Sequence, residues 1–358
     1  MSKIYQVYGQ SAHEMTLQLL ETAQAVRLVP SQGNVVLKPN LVIAGTPESG
    51  ATTHPGVLSG CIEYFQSHGV QQISVMEGSW IGDNTMRAMQ VAGYDQVCRK
   101  YNVPFFDLKK DKTRTVETAI GKMDICQSAL DAGLLVDLPV LKGHGQTIMT
   151  CALKNLKGCL PDREKRHFHA MGLHRPIAAL GAYLKPRLIV VDRICGDLDF
   201  EEGGNPVTMN RMYLGTDAVQ LDAYGCQLMG IDLEAVPYIF LCEQFGGGST
   251  AMDPSDLVEL NHPEAGMETK FRKPAGIVGR ITRNVQADSA CSACFAALAR
   301  ALYVGNMQGT SDMHIGQGWR GKSFEGIGIG NCCSGGTSCV HGCPPTADAV
   351  LEALTKQA

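Results

Sequence analysis

With 358 residues, 44% of them apolar and 18% charged, the chain has core-forming material for one large domain or two. A formal net charge of −4 removes any global electrostatic case for nucleic acid. No uncharged apolar run reaches the roughly 18–20 residues of a membrane span. Residues 1–6 also lack a basic segment leading into an apolar one, so a cytoplasmic protein with no nucleic-acid and no membrane partner is expected.

In chain order, Val35-Val36-Leu37 reads as a buried strand ended at Pro39, followed by Asn40. Residues 55–68 have helical spacing up to Gly69, and Gln72 to Met76 is a strand running into Glu77-Gly78-Ser79. A helix over 84–100 and a strand over 104–108 come next. The apolar runs Leu134–Leu138 and Leu188–Val191 complete an alternation that implies βαβ units and a mainly parallel sheet. Residues 253–274 turn polar and proline-containing and read as a linker. The division expected is therefore a core domain over 1–252, that linker, and a small Cys- and Gly-rich module over 275–358.

The fourteen cysteines are unevenly spread. Eight (61, 98, 126, 151, 159, 195, 226 and 242) sit mostly among apolar neighbours and read as buried small hydrophobes. The other six crowd into residues 291–343. Cys291-Ser-Ala-Cys294 opens the helical stretch Phe295–Leu302, where free N–H groups favour thiolates. Cys343 stands directly before Pro344-Pro345, a recurring feature of iron–sulfur ligation. Zinc would favour two paired knuckles, and only one Cys-x-x-Cys pair is present. A thioredoxin-like redox pair would leave the remaining cysteines without a role. A [4Fe–4S] cluster on Cys291, Cys294, Cys343 and Cys332 is the reading adopted, with Cys333 and Cys339 as substitutes for the fourth ligand.

The second unusual region spans 142–175. Between Lys154 and Arg175 six basic residues face two acids, with three histidines. Lys142, Lys154, Asn155 and Lys157, joined by Lys38 and Asn40 past the first strand, are expected to bind an anion. His144 or His167 would transfer protons, and Glu77 and Asp192 at strand ends are further acid/base candidates. His167-x-His169 with His174 offers a weaker metal alternative, which the surrounding cations disfavour. No G-x-G-x-x-G follows the first strand.

Several of these segments together resemble the uncharacterised iron–sulfur centre proteins grouped as domain of unknown function 362. The resemblance rests on Val36–Leu41, Thr53-His54-Pro55, Glu77-Gly78-Ser79, Ala92-Gly93-Tyr94, Leu153–Gly158 and Val191-Asp192. Gly342-Cys343-Pro344-Pro345 is similar to the segment in cluster-bearing members, and implies the cluster without naming a substrate. The expectation is thus an α/β protein with mainly parallel sheets in two lobes and a small C-terminal Cys-rich iron–sulfur module. Its function would be that of an oxidoreductase passing electrons through a [4Fe–4S] cluster to a small carboxylate or phosphate. An electron-transfer protein is the expected macromolecular partner, with a homodimer left open. The alternatives are a cluster-dependent dehydratase or isomerase, and an electron carrier or redox sensor docking an acidic partner.

Overall fold

The computed structural model describes residues 3–31, 33–264 and 276–357. The strands in chain order are β1 (Ile4–Tyr8), β2 (Val35–Pro39), β3 (Ile73–Glu77), β4 (Phe105–Asp107), β5 (Thr113–Thr118), β6 (Gly121–Cys126), β7 (Leu134–Leu138), β8 (Lys142–His144), β9 (Ile148–Thr150), β10 (Leu188–Asp197), β11 (Pro206–Gly215), β12 (Leu257–Glu259), β13 (Gln286–Ala287), β14 (Met313–Ile315), β15 (Phe324–Ile329) and β16 (Gly336–Val340). Eight of them form one sheet in the order β12-β1-β11-β10-β7-β2-β3-β4. Every neighbouring pair is parallel except those involving β11, which runs antiparallel to both β1 and β10.

Alternate residues of the buried strands feed two separate cores. Val36, Leu135, Ile189 and Val191 face one, while Val35, Leu37, Leu134, Val136 and Val190 face the other. Helices Ala12–Ala23 and Pro55–Ser67 cover the second face; His174–Leu184, Ala218–Met229 and Tyr238–Gln244 cover the first. This three-layer packing explains why the central strands read as continuous apolar runs rather than alternating ones.

The chain winds outward from β2 through β3 to β4 in one direction, and from β7 to β10 in the other. The order therefore reverses between β2 and β7, whose carboxyl ends pair Lys38 with Asp137 and Pro39 with Leu138. Open α/β sheets bind ligands in the crevice outside such a switch point.

The expected helix over 84–100 is two helices, Thr85–Val91 and Tyr94–Tyr101, because Gly93 takes a left-handed φ of 78° between them. The expected linker carries β12, which pairs with β1, and its residues 265–274 lie outside the described residues. Beyond it stands a second, four-stranded parallel sheet, β13-β14-β15-β16, with its own core of Leu298, Leu302, Ile315, Ile327, Ile329 and Val350. Helix Ser292–Val304 packs on this sheet, with Cys291 as its N-cap.

Seven of the eight scattered cysteines are buried free thiols, Cys195 being the half-buried exception. No helix among the described residues is long and apolar enough to cross a membrane.

Candidate functional site

A crevice opens at the switch point. Its floor is stitched by polar side chains at the ends of β2 and β7. Asn155 Nδ2 donates to Asp137 at 2.8 Å, Asn40 Nδ2 donates to Asn155 Oδ1 at 3.0 Å, and Lys142 Nζ donates to Asn40 Oδ1 at 3.1 Å. Asn40, Asn155 and Lys142 thus line the crevice, but their main polar groups are engaged in holding it together. Lys38 is fully buried behind them, bonded to Glu77 Oε2 at 2.7 Å and to the Pro39 carbonyl. It neutralises Glu77 and is not among the residues that border the cavity.

Lys154 and Lys157 arrive on a short helix, Ala152–Asn155, that tightens into the turn Leu156–Cys159. The buried Asp222 carboxylate accepts the first free amides of this helix, Ala152 N at 2.7 Å and Leu153 N at 3.3 Å. Leu153, Leu156 and Cys159 enter the core, which turns the two lysines toward the crevice. Gly158 is required here because a side chain would run into the Glu77 carboxylate. Lys154 Nζ contacts Glu201 at 3.1 Å, whereas Lys157 Nζ lies 3.4 Å from His169 Nε2. Burial beside Lys154 lowers the Lys157 amine to about 7.

Glu201 is the electrostatic centre that the sequence did not reveal. It sits in the β10–β11 loop, which Asp197 shapes by accepting the amides of Asp199 and Phe200. His144 Nε2 faces its carboxylate at 2.5 Å, while His144 Nδ1 accepts the amides of Gln146 at 3.0 Å and Thr147 at 3.2 Å. Those two acceptances place the ring proton on Nε2. Burial pulls His144 down to about 4, and its imidazole together with Lys154 holds Glu201 well below the usual carboxylate range. At neutral pH His144 is therefore a neutral orienting group rather than a proton donor.

The other expected acid/base groups divide. Glu77 borders the crevice, its carboxyl pushed up by burial against the pull of Lys38. Asp192 does not reach it: its carboxylate accepts the His54 amide at 2.8 Å and the Ile194 amide at 2.9 Å. His167 lies on the exposed side of helix Asp162–Ala170, where its side chain is 54% exposed and contacts Glu164. The helix period carries His169 inward instead, and that residue lines the crevice. His167→Ala is accordingly expected to change stability by no more than about 0.5 kcal/mol and to leave ligand binding intact, checked by thermal melting and titration calorimetry.

Lys165 and Lys109 fix the loop after β3. Lys165 Nζ donates to the carbonyls of Gly78 and Ser79, both at 2.9 Å; Lys109 Nζ donates to those of Trp80 and Asp83, both at 2.7 Å. The loop presents Trp80 and Ile81 to the crevice, and a side chain at Gly82 would collide with Pro344 of the C-terminal module.

On the other side of Ile81 lies a second cavity. Cys291, Cys294, Cys332 and Cys343 all border it, together with Arg166, Arg320 and Gly330. Cys333 and Cys339 do not: their thiols point to the carbonyls of Gly316 and Gly330. Among the described residues no three His, Cys, Asp or Glu groups are arranged to hold a metal ion. The four thiols instead ring a space.

Their chemistry fits an iron–sulfide core. Burial, reinforced by the neighbouring thiols, pushes Cys291 up to about 11 and Cys294 up to about 12. Four thiolates can share such a space when a cationic core compensates them. Arg320 donates to Cys332 Sγ at 3.3 Å, and Gly330, beside Cys294 Sγ, takes a left-handed φ of 88° that favours glycine. The two cavities share Ile81 and Ala293 as walls, the latter lying between the first two cysteines.

A family model described as domain of unknown function (DUF362) matches residues 35–227. The chain belongs to this family. The match spans β2 through β11 and the crevice lysines; the four clustered thiols lie beyond it. The thylakoid-associated protein sll1697 of Synechocystis is similar at 24% identity over 251 residues, 67% of this chain and 76% of that protein. The lactate racemase apoprotein of Thermoanaerobacterium thermosaccharolyticum superposes with a TM-score of 0.44 at 17% identity. That alignment covers 63% of this chain and 57% of the other.

Proposed function

We propose that this DUF362 protein is an oxidoreductase with a [4Fe–4S] cluster on Cys291, Cys294, Cys332 and Cys343, acting on a small anion bound in the adjoining crevice. The observation that supports this reading is the wall common to both cavities, Ile81 and Ala293, across which a crevice ligand would lie next to the four cysteines. When bound, a cluster of this kind supplies or accepts electrons one at a time. Lys154 and Lys157 bind the anion, Trp80 and Ile81 shield it from water, and Lys157 Nζ holds or releases a proton near neutrality. Four thiols on one cavity favour electron transfer over a dehydratase or isomerase role, which requires an iron free of protein ligand. The concave, lysine-lined crevice likewise favours a small-molecule substrate over a pure carrier or sensor. Cys343, the exposed member of the set, marks the side where an electron-transfer protein would dock. Fourteen cysteines free of disulfides suit a reducing compartment such as the cytoplasm.

Anaerobic purification with iron and acid-labile sulfide counts, and electron paramagnetic resonance after dithionite, test the reading. A reduced-cluster signal with matching iron and sulfide is expected; stoichiometric zinc without sulfide would overturn it. Binding should also depend on pH. Lys157 is positively charged below about 7 and loses that charge above it. Anion affinity should therefore fall as pH rises from about 6 to about 9, with the midpoint shifted upward by bound anion. Affinity that stays flat across this range would remove Lys157 as the anchor.

A further inference from the structure

The crevice lysines differ in how many of their N–H donors are already committed. An ammonium carries three. Lys142 uses all of them, on Asn40 Oδ1 at 3.1 Å, the Ala51 carbonyl at 2.5 Å and the Glu201 carbonyl at 2.8 Å. Lys165 is similarly occupied by Gly78, Ser79 and, at 3.6 Å, Asp162. Lys38 lies behind the wall, spent on Glu77 and Pro39. Among the described residues, the hydrogen-bond partner of Lys154 Nζ is Glu201 and that of Lys157 Nζ is His169. The free donors at the crevice are thereby concentrated on two lysines three residues apart on one helical turn.

The charge at that end is equally restricted. Glu201 cancels Lys154, and no carboxylate is recorded within ion-pair distance of Lys157 among the described residues. Lys157 is the charge there that also has donors to give; Lys142 adds charge but no free donor. A carboxylate engages those donors with a single negative charge, whereas a phosphate dianion would bring a second one next to Glu201, an expensive arrangement. His169 stands behind the pair, 3.4 Å from both Lys157 Nζ and Ser292 N, with its buried Nδ1 unpartnered. Leu41, Val42, Trp80, Ile81 and Ala293 supply the apolar part of the wall, beside the polar Thr150 and Ser292.

We propose that the crevice takes a monocarboxylate with an apolar body, its carboxylate bridging Lys154 and Lys157 and its body lying against Trp80 and Ile81. This rests on the crevice being the substrate site, and it narrows the substrate from any small anion to an amphipathic carboxylic acid. Trp80 and Ile81 supply the specificity for the body. His169 is a positioning residue for Lys157.

The test is titration calorimetry on the whole chain, with and without reconstituted iron and sulfide, using cinnamate, acetate and inorganic phosphate as probes. Cinnamate should bind at least about tenfold more tightly than acetate, since burying an aryl body adds well over 1 kcal/mol, and phosphate should not displace it. Lys157→Met should weaken cinnamate by about tenfold or more, the loss of a charge-assisted bond. Lys157→Arg, which keeps the charge, should retain most of the affinity and guards against a folding artefact. Phosphate binding more tightly than cinnamate, or Lys157→Met binding cinnamate like the parent chain, would overturn the proposal. Cinnamate binding by a chain that never takes up iron would instead remove the cluster while leaving this assignment standing.

Discussion

Replacing any one of Cys291, Cys294, Cys332 or Cys343 with alanine is expected to strip most of the iron and acid-labile sulfide. Cys333→Ala and Cys339→Ala should retain both. The distinction between neighbours is geometric. Cys332 and Cys333 are adjacent in the turn Asn331–Cys333, yet the first thiol borders the cavity and receives the Arg320 guanidinium. The second is fully buried and points to the Gly316 carbonyl. Losing one of four thiolates leaves an iron with an open, solvent-reachable position, and clusters in that state are lost readily to oxidation. Elemental analysis of each anaerobically purified variant reads the result. Iron retained in Cys332→Ala but absent from Cys333→Ala would move the fourth ligand by one residue and require the turn to be rearranged.

Glu201→Gln is expected to destabilise the fold by about 3–5 kcal/mol, the cost of removing one member of a buried ion pair. The carboxylate is 5% exposed and serves both the His144 ring and the Lys154 ammonium, so its loss strands a buried cation. The sign of the pH effect follows from the same contacts. Glu201 is held well below its unfolded value, so its contribution is fully present above the unfolded carboxylate pKa of about 4.3. That contribution is lost as pH falls through the lower folded value. The parent chain should therefore lose stability on acidification below about pH 4 more steeply than Glu201→Gln, as denaturant titrations over that range would measure. Equal slopes would show that Glu201 is not the group responsible.

The parallel sheet and its ligand edge were legible because three physical signals agreed. Apolar runs ended in Pro39 and near Asp137, helical spacing began at Pro55, and charged residues followed the strand ends. The lysines at 154 and 157 stood out through a different signal, the basic stretch that begins with them. Their division of labour was not legible, since sequence does not say that Lys38 and Lys142 spend their donors internally. His167 and His169 illustrate the limit: a two-residue spacing on a helix sends the two rings to different sides, and only packing says which side is in. Glu201 was invisible because the acidic stretch Asp197–Glu202 has the composition of an ordinary solvated turn. It becomes central through contacts with residues 47 and 57 positions away. The choice among Cys332, Cys333 and Cys339 likewise depends on the turn after β15, which no spacing rule describes.

Ala293 belongs to both cavities at once, flanked by Cys291 and the cysteine one residue beyond it. On the proposed reading, a single helical turn would report to two ligands. Linkage then imposes a reciprocity. Whatever factor iron–sulfide loading adds to carboxylate affinity by fixing that turn, bound carboxylate must return to the thiols' hold on their metal. Substrate supply would then protect the loaded state, and starvation for substrate would leave the centre more easily emptied.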